Sequence, residues 1–317
     1  MAQAEGSGPV HYDVVIIGGG AGGLTAAIYA MRAALKTVLV EKLAPGGQIL
    51  VTDEVENYPG FIHISGAELA MKFAEHAKSY DLEMISKEVT ELLPGLEYHT
   101  VKLENGEVLT THAVILATGG TPRKLDIPGE AELHGKGVSY CATCDGFFFR
   151  GKTVLVVGGG DSAVEESLYL SKICKTVYLA HRRNELRASR ILQQRLAAAE
   201  NVHMLWNTIV TEIHAGTDGV ERVMLKHTET ADMRELDVDG VFVFIGFTPN
   251  TELVPEETHM SAEGFVITNE KCETNTPGIY AIGDMREKPA RQIVLSAADG
   301  CVAALSATFY VELKKAR

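Results

Sequence analysis

Two cysteines three positions apart, Cys141 and Cys144 in the run Cys141-Ala142-Thr143-Cys144, are the residues of this chain best placed to do chemistry. Such a pair closes a disulfide or holds a metal, and five cysteines scattered over 317 residues would produce one by chance about 0.06 times. No second Cys or His pair stands at zinc spacing, and His11, His63 and the other histidines fall at no metal-ligand interval. The expected chemistry is therefore dithiol–disulfide exchange, with no metal. Cys174, Cys272 and Cys301 read as buried structural thiols, and the single Trp206 as a packing residue.

A disulfide that turns over needs an electron source, and two glycine-rich turns point to one. Residues 12–17 are a continuous apolar, β-branched run suited to a buried parallel strand, followed by Gly18-Gly19-Gly20-Ala21-Gly22-Gly23 and a helical stretch over 24–32. A second strand is expected at 37–40, and Glu41 follows it, placed to accept both hydroxyls of an adenosine ribose. Gly18 permits the tight turn, Gly20 the approach of a pyrophosphate to backbone N–H groups, and Gly23 close helix packing. The pattern returns 140 residues later, with a strand at 153–157, then Gly158-Gly159-Gly160-Asp161-Ser162-Ala163, a helix to 170 and a strand at 176–180. Here no acid follows. The strand runs into His181-Arg182-Arg183, with Arg187 beyond, and three guanidinium groups suit a 2′-phosphate that a carboxylate would repel. The second turn should take NADPH and the first an adenine nucleotide without that phosphate; the other reading of the basic cluster is an exposed helix start.

Each copy continues into β-meander material, at 101–109 and 220–238, then an apolar strand ending in glycine, at 114–119 and 241–246. Thr121-Pro122 and Thr248-Pro249 follow as two crossings between domains. The remainder from 250 onward is too short for a third domain and completes the first. The expected fold is α/β, two Rossmann-like, three-layer ββα dinucleotide-binding domains with the second inserted into the first: 1–121 and 249–317 for FAD, 122–248 for NADPH and the Cys pair. Two crossings favour a hinge. Two nucleotides and one Cys pair give the electron path NADPH to flavin to disulfide to acceptor. Gly283-Asp284 suits a ribityl-binding carboxylate, and a helix from about Arg291-Gln292-Ile293 would aim N–H groups at the flavin pyrimidine edge.

With these motifs in place the chain resembles, over essentially its whole length, the low-molecular-weight thioredoxin reductases. The resemblance is carried by GGGAGG, Gly46-Gly47-Gln48, Glu56-Asn57-Tyr58-Pro59-Gly60, Ala117-Thr118-Gly119-Gly120, Cys141-Ala142-Thr143-Cys144-Asp145-Gly146, GGGDSAVEE, HRRNELR and the terminal GD, RQ and DG. It implies that Cys144 faces the flavin, Cys141 attacks the disulfide of thioredoxin or a thioredoxin-like protein, and Asp145 serves as the acid. It further implies FAD contacts from Gly18, Gly20, Ala21, Gly23 and Glu41, from Gly47, Gln48, Asn57 and Val89, from Ala117, Thr118 and Gly119, and from Gly283, Asp284, Arg291, Gln292 and Ile293. NADPH contacts fall to Gly158, Gly160, Asp161, Ser162, His181, Arg182, Arg183 and Arg187, and the chain should form a homodimer. The larger flavin disulfide reductases place a CxxxxC soon after the first fold, where residues 42–51 have no cysteine. One departure stands out: Met285-Arg286-Glu287-Lys288-Pro289-Ala290 precedes Arg291-Gln292 where well-known members have an aromatic residue. A dithiol oxidase or ferredoxin-linked reductase on the same scaffold is the alternative enzyme, expected to lack either the basic cluster or the Cys pair. A non-catalytic redox sensor is the alternative outside enzymes.

Composition limits the remaining choices. A formal charge of −13, with 29 basic against 42 acidic residues, disfavours nucleic acid and anionic membranes as partners. No uninterrupted apolar run approaches a bilayer-spanning length. The polar start, 1–10, carries no targeting pattern, which with sparse cysteines points to the cytoplasm.

Overall fold

The computed structural model describes residues 9–52 and 54–316, so most of the N-terminal stretch read for targeting lies outside the described residues. The chain divides into two compact units, Met1–Thr121 with Pro249–Arg317, and Pro122–Thr248.

In the first unit the central strand is Val10–Ile17, flanked in parallel by Thr37–Val40 and Val108–Leu116, with Ile17 opposite Val40 on one side and Leu116 on the other. The parallel edges are Glu83–Ile85 and Ile279–Ala281. Val108–Leu116 serves two neighbours in turn: its N-terminal part pairs antiparallel with His99–Leu103, and residues 114–116 pair with Ile279–Ala281. The alternation of side chains along a strand builds the three layers. Val14 and Ile16 face a core shared with helices Ala21–Arg32 and Ile293–Lys315, through Leu24, Ala27, Ala304 and Ala307, while Val15 and Ile17 face the meander residues Leu92, Val101 and Leu103.

The second unit repeats the plan. Its parallel sheet has the order Val202–Leu205, Thr176–Ala180, Thr153–Gly158, Gly240–Phe244, Val138–Ser139. Val154 and Val156 face helices Asp161–Ser171 and Arg190–Ala197, through Val164, Leu170 and Leu192. Leu155 and Val157 face the antiparallel sheet Thr208–Ala215, Val220–His227 and Met233–Asp237, through Val210, Ile213, Val223 and Leu225. Both units are thus Rossmann-type three-layer folds, and strand for strand they superpose in order, with Ile279–Ala281 standing where Val138–Ser139 stands.

The C-terminal helix, Ile293–Lys315, begins where the sequence leads one to expect it. Among the described residues it is the one helix long and apolar enough to cross a membrane, with an 18-residue window of mean hydropathy 1.5. Interleaved Ser, Thr, Asp and Gly hide it from a search for unbroken runs. Its small face belongs to the first unit's core: Ala303, Ala304, Ala307 and Val311 are fully buried. Gly300 lies so close to the helix Ala21–Arg32 that a Cβ there would stand 2.2 Å from the Gly22 carbonyl oxygen and 3.0 Å from the Ala26 nitrogen. Backbone atoms cannot yield as a flexible side chain does, so Gly300→Ala should cost about 1–3 kcal/mol and Gly300→Val more. Urea unfolding followed by far-UV circular dichroism measures the loss; wild-type stability in both variants would contradict this contact.

Candidate active site

At the first glycine turn the strands Val10–Ile17 and Val108–Leu116 end side by side, so Gly18 and Ala117 are neighbours. Gly18 has φ +108, and a Cβ on it would lie 2.4 Å from the Ala117 oxygen. A Cβ on Gly23 would lie 1.9 Å from the Gly18 oxygen, which is the close helix approach expected of that position, whereas nothing stands within 4 Å of the place above Gly20. Helix Ala21–Arg32 begins there with no acid in its first turn and no side-chain cap, leaving its first N–H groups and its positive dipole end to an anion. The helix starts at Ala21, three residues before the apolar pattern. The Glu41 carboxylate accepts the Gly19 N–H through Oε2 (2.6 Å) and the Leu43 N–H through Oε1 (2.8 Å). These bonds fix it at the turn, and each oxygen keeps a further lone pair for a hydroxyl.

Around this turn gather most of the other residues expected to hold FAD. Gly46 N–H donates to the Gly19 oxygen (2.8 Å), which brings Gly47 beside Gly20, and Gln48 Nε2 donates to the Gly120 oxygen (3.4 Å). Thr118 Oγ1 donates to the Asn250 oxygen (2.6 Å), and Asn250 Nδ2 returns a bond to the Thr118 oxygen (2.8 Å), which steadies Ala117-Thr118-Gly119. Asn57 Nδ2 meets Gln292 Oε1 at 3.3 Å. Arg291 lies 4.5 Å from the centre of the Phe265 ring, and partial burial lowers its pKa from the ordinary arginine value. Ile293 opens the C-terminal helix and Gly283-Asp284 form a tight turn after strand Ile279–Ala281. The Val89 side chain is spent in the core, leaving only its backbone for a ligand.

The second turn has the same construction. A Cβ on Gly158 would lie 2.4 Å from the Phe244 oxygen, and the place above Gly160 is clear to 4 Å. Asp161 Oδ1 accepts the Ser189 N–H (2.6 Å) and Arg187 N–H donates to the Gly159 oxygen (2.8 Å), so the segment after His181 is tied back to the glycines. Ser162 follows in the first turn of the helix. His181 is buried against Gly159, with Nε2 lacking a hydrogen-bond partner; burial is the main cause lowering its pKa below the ordinary histidine value. Arg182, Arg183 and Arg187 are exposed. An orphaned polar atom, clear space over a bare turn and three solvent-facing guanidinium groups fit a dinucleotide with an additional phosphate.

Cys141 and Cys144 are joined in a disulfide, S–S 2.11 Å, across the helical turn Ala142–Asp145. Both are half-buried. The Cys144 N–H donates to Cys141 Sγ at 3.2 Å. Ser139 organises the segment: its Oγ accepts the Cys141 N–H (3.0 Å) and donates to Asp145 Oδ2 (2.5 Å). Ser139 was not among the expected site residues, since nothing in its spacing marks it. Of the free cysteines, Cys174 and Cys272 are buried as expected, with thiols pushed up to about 11 mainly by burial, whereas Cys301 is half-exposed.

Folding also gathers His11, Asp13 and His112, whose ligand-type atoms lie within 4.8 Å of one another although the histidines stand 101 positions apart in the chain. The Asp13 carboxylate there already takes the Lys36 N–H (2.8 Å) and the Lys315 ammonium (2.7 Å), so this cluster is an ion pair flanked by two imidazoles.

Comparison with known proteins agrees with these features. Residues 12–300 match the family model for pyridine nucleotide-disulphide oxidoreductases. A thioredoxin reductase of Bacillus subtilis is 48% identical over 301 residues, covering 95% of each chain, and one of Listeria innocua is 45% identical over 308 residues, covering 96% of each. The crystal structure of a thioredoxin reductase from Streptococcus pyogenes, 42% identical, superposes with a TM-score of 0.92 and covers 96% of this chain and 99% of that one. A chain with two bare-backbone nucleotide turns, a redox-capable cysteine pair and these relatives belongs to the pyridine nucleotide-disulphide oxidoreductase family.

Proposed function

We propose that this chain is an NADPH-dependent flavoprotein that reduces the disulfide of thioredoxin or a thioredoxin-like protein. The observation that carries the reading is the Cys141–Cys144 disulfide, held in a chain with two nucleotide turns of which one alone is basic. FAD belongs to the unit Met1–Thr121 with Pro249–Arg317, and NADPH to Pro122–Thr248. Bound FAD, reduced by NADPH, supplies the electron pair that opens the disulfide.

The chain's own residues then manage thiols and protons. Opening the bond needs two electrons and leaves two sulfurs that together take up to two protons. The Cys144 N–H that already points at Cys141 Sγ favours the thiolate there. Cys141 thiolate attacks one sulfur of the partner's disulfide, expelling the other as a thiolate; Cys144 thiolate attacks Cys141 of the mixed disulfide, restoring the internal bond and releasing the partner's second sulfur. In this reading Asp145, whose carboxylate accepts the Ser139 hydroxyl, takes up a proton from solvent and passes it to a departing sulfur. At the second turn Arg182, Arg183 and Arg187 clamp the 2′-phosphate and Gly158, Gly160, Asp161, Ser162 and His181 shape the pyrophosphate and ribose contacts.

The chain works as a homodimer in this reading. Leu305, Phe309 and Leu313, four residues apart on the C-terminal helix, are 56%, 63% and 50% exposed and form an apolar stripe suited to a second copy. Two buried free thiols suit a reducing compartment, the cytoplasm.

Four outcomes test the reading. Arg182→Ala with Arg183→Ala should reduce the preference for NADPH over NADH in kcat/KM by roughly 30- to 1000-fold, two charge-assisted contacts being lost; an unchanged ratio rejects the phosphate site. Cys141→Ser and Cys144→Ser should each abolish thioredoxin reduction while FAD stays bound and reducible by NADPH. Cys144→Ser alone should trap a mixed disulfide with a single-cysteine thioredoxin, and failure of flavin reduction in both variants would assign the cysteines a structural task instead. Phe309→Glu should convert the dimer to monomer in light scattering, and a dimer that survives it places the interface elsewhere.

A further inference from the structure

Lys288 sits in the segment where this chain departs from its family's pattern, and only 4% of its side chain is exposed. A buried ammonium must recover its lost hydration from carboxylates and hydrogen bonds. Its Nζ lies 3.2 Å from Asp284 Oδ1, 3.3 Å from Ser296 Oγ and 3.6 Å from Asp299 Oδ2. Asp299 is already engaged: it accepts Arg286 Nε (2.9 Å) and Nη2 (2.6 Å) as a bidentate fork, and the Gly283 N–H (3.0 Å). Arg286 Nη1 is anchored in turn on Thr268 Oγ1 (3.1 Å).

The two pairs therefore do different work. Arg286 with Asp299 fixes the backbone of the turn through Gly283, and Lys288 reaches the side chain of Asp284. Two carboxylates and two cations leave the cluster neutral. The cluster adjoins the start of helix Ile293–Lys315, whose first turn contains Ser296 but no acid. The positive dipole end opposes an ammonium at that position, so Asp284 and Asp299 are what keep Lys288 there.

We propose that Lys288 is a positioning residue for FAD: it holds the Asp284 carboxylate in the orientation that accepts a hydroxyl of the flavin's sugar-alcohol chain. This rests on the assignment of FAD to the first unit. A carboxylate oriented in advance loses less conformational freedom on binding than one that must be ordered by its ligand.

Titrating FAD into flavin-stripped protein, with quenching of flavin fluorescence as the readout, tests the idea in wild type, Lys288→Met, Asp284→Asn and the double variant. Lys288→Met should weaken FAD binding roughly 10- to 100-fold, and Lys288→Gln, which keeps a donor without the charge, should fall between it and wild type. Because Lys288 acts through Asp284, the double variant should bind within about threefold of Asp284→Asn alone. Unchanged affinity in the Met and Gln variants, or losses that multiply in the double variant, would overturn the proposal. A merely structural lysine would lower the melting temperature of the flavin-free protein without showing this coupling. Should Lys288→Met not fold, Lys288→Gln supports the same cycle. Wild-type protein that takes up no FAD would instead defeat the parent assignment.

Discussion

A pyrophosphate has to meet main-chain N–H groups directly, so the chain must present a helix start without side chains at the end of a buried strand. That one demand sets the architecture of both units. It places glycine where a Cβ would strike a neighbouring carbonyl, at Gly18 and Gly158, and where ligand space must stay clear, at Gly20 and Gly160. The parallel strands whose ends meet at the turn are buried on both faces, as parallel sheets are. The meander on one face and the helices on the other supply that cover, dividing Val14 and Ile16 from Val15 and Ile17, and Val154 and Val156 from Leu155 and Val157.

Against this repeated frame, differences of a few residues decide chemistry. After the second strand, one unit has Glu41 locked by two backbone N–H groups and the other has His181 with an arginine cluster. A fixed carboxylate tolerates hydroxyls and repels phosphate; guanidinium groups reverse the preference. The short segment before strand Thr153–Gly158 carries the cysteines in a helical turn whose two ends Ser139 ties through one hydroxyl, while Ala142 and Phe149 pack into the second unit's core.

Much of this was legible in the linear chain wherever a feature is local. The runs at 37–40 and 176–180 coincide with strands Thr37–Val40 and Thr176–Ala180 because a buried parallel strand is written as consecutive β-branched and apolar residues. The first helix begins three residues ahead of its apolar pattern because the turn geometry overrides the weak helical propensity of Gly22-Gly23. Edge strands Glu83–Ile85 and Val202–Leu205 carry too short and too mixed a pattern to be read. The network of Arg286, Lys288, Asp284 and Asp299 depends on side chains converging across a turn and a helix start, and the cluster of His11, Asp13 and His112 on neighbouring strands far apart in sequence. Neither has a period or a motif. The helix Ile293–Lys315 is legible as a helix, but its bilayer-spanning length of apolar character is masked because small polar residues break the apolar run.

The equivalence of Ile279–Ala281 and Val138–Ser139 bears on how the protein is made. The two sheets share a strand order, yet in one unit the fifth strand arrives last along the chain and in the other it arrives first. The inserted unit is therefore contiguous and is ready to fold once residue 248 has cleared the ribosome. The surrounding unit has its central strands exported early but must wait for residues 279–315 to close its sheet edge and cover one face. During synthesis the strand Val108–Leu116 is left with an open edge while the second unit matures, an interval in which an unpaired strand is open to pairing with other chains. The antiparallel strand His99–Leu103, already made, blocks residues 108–111 of that edge and leaves the C-terminal part, where residues 114–116 await Ile279–Ala281.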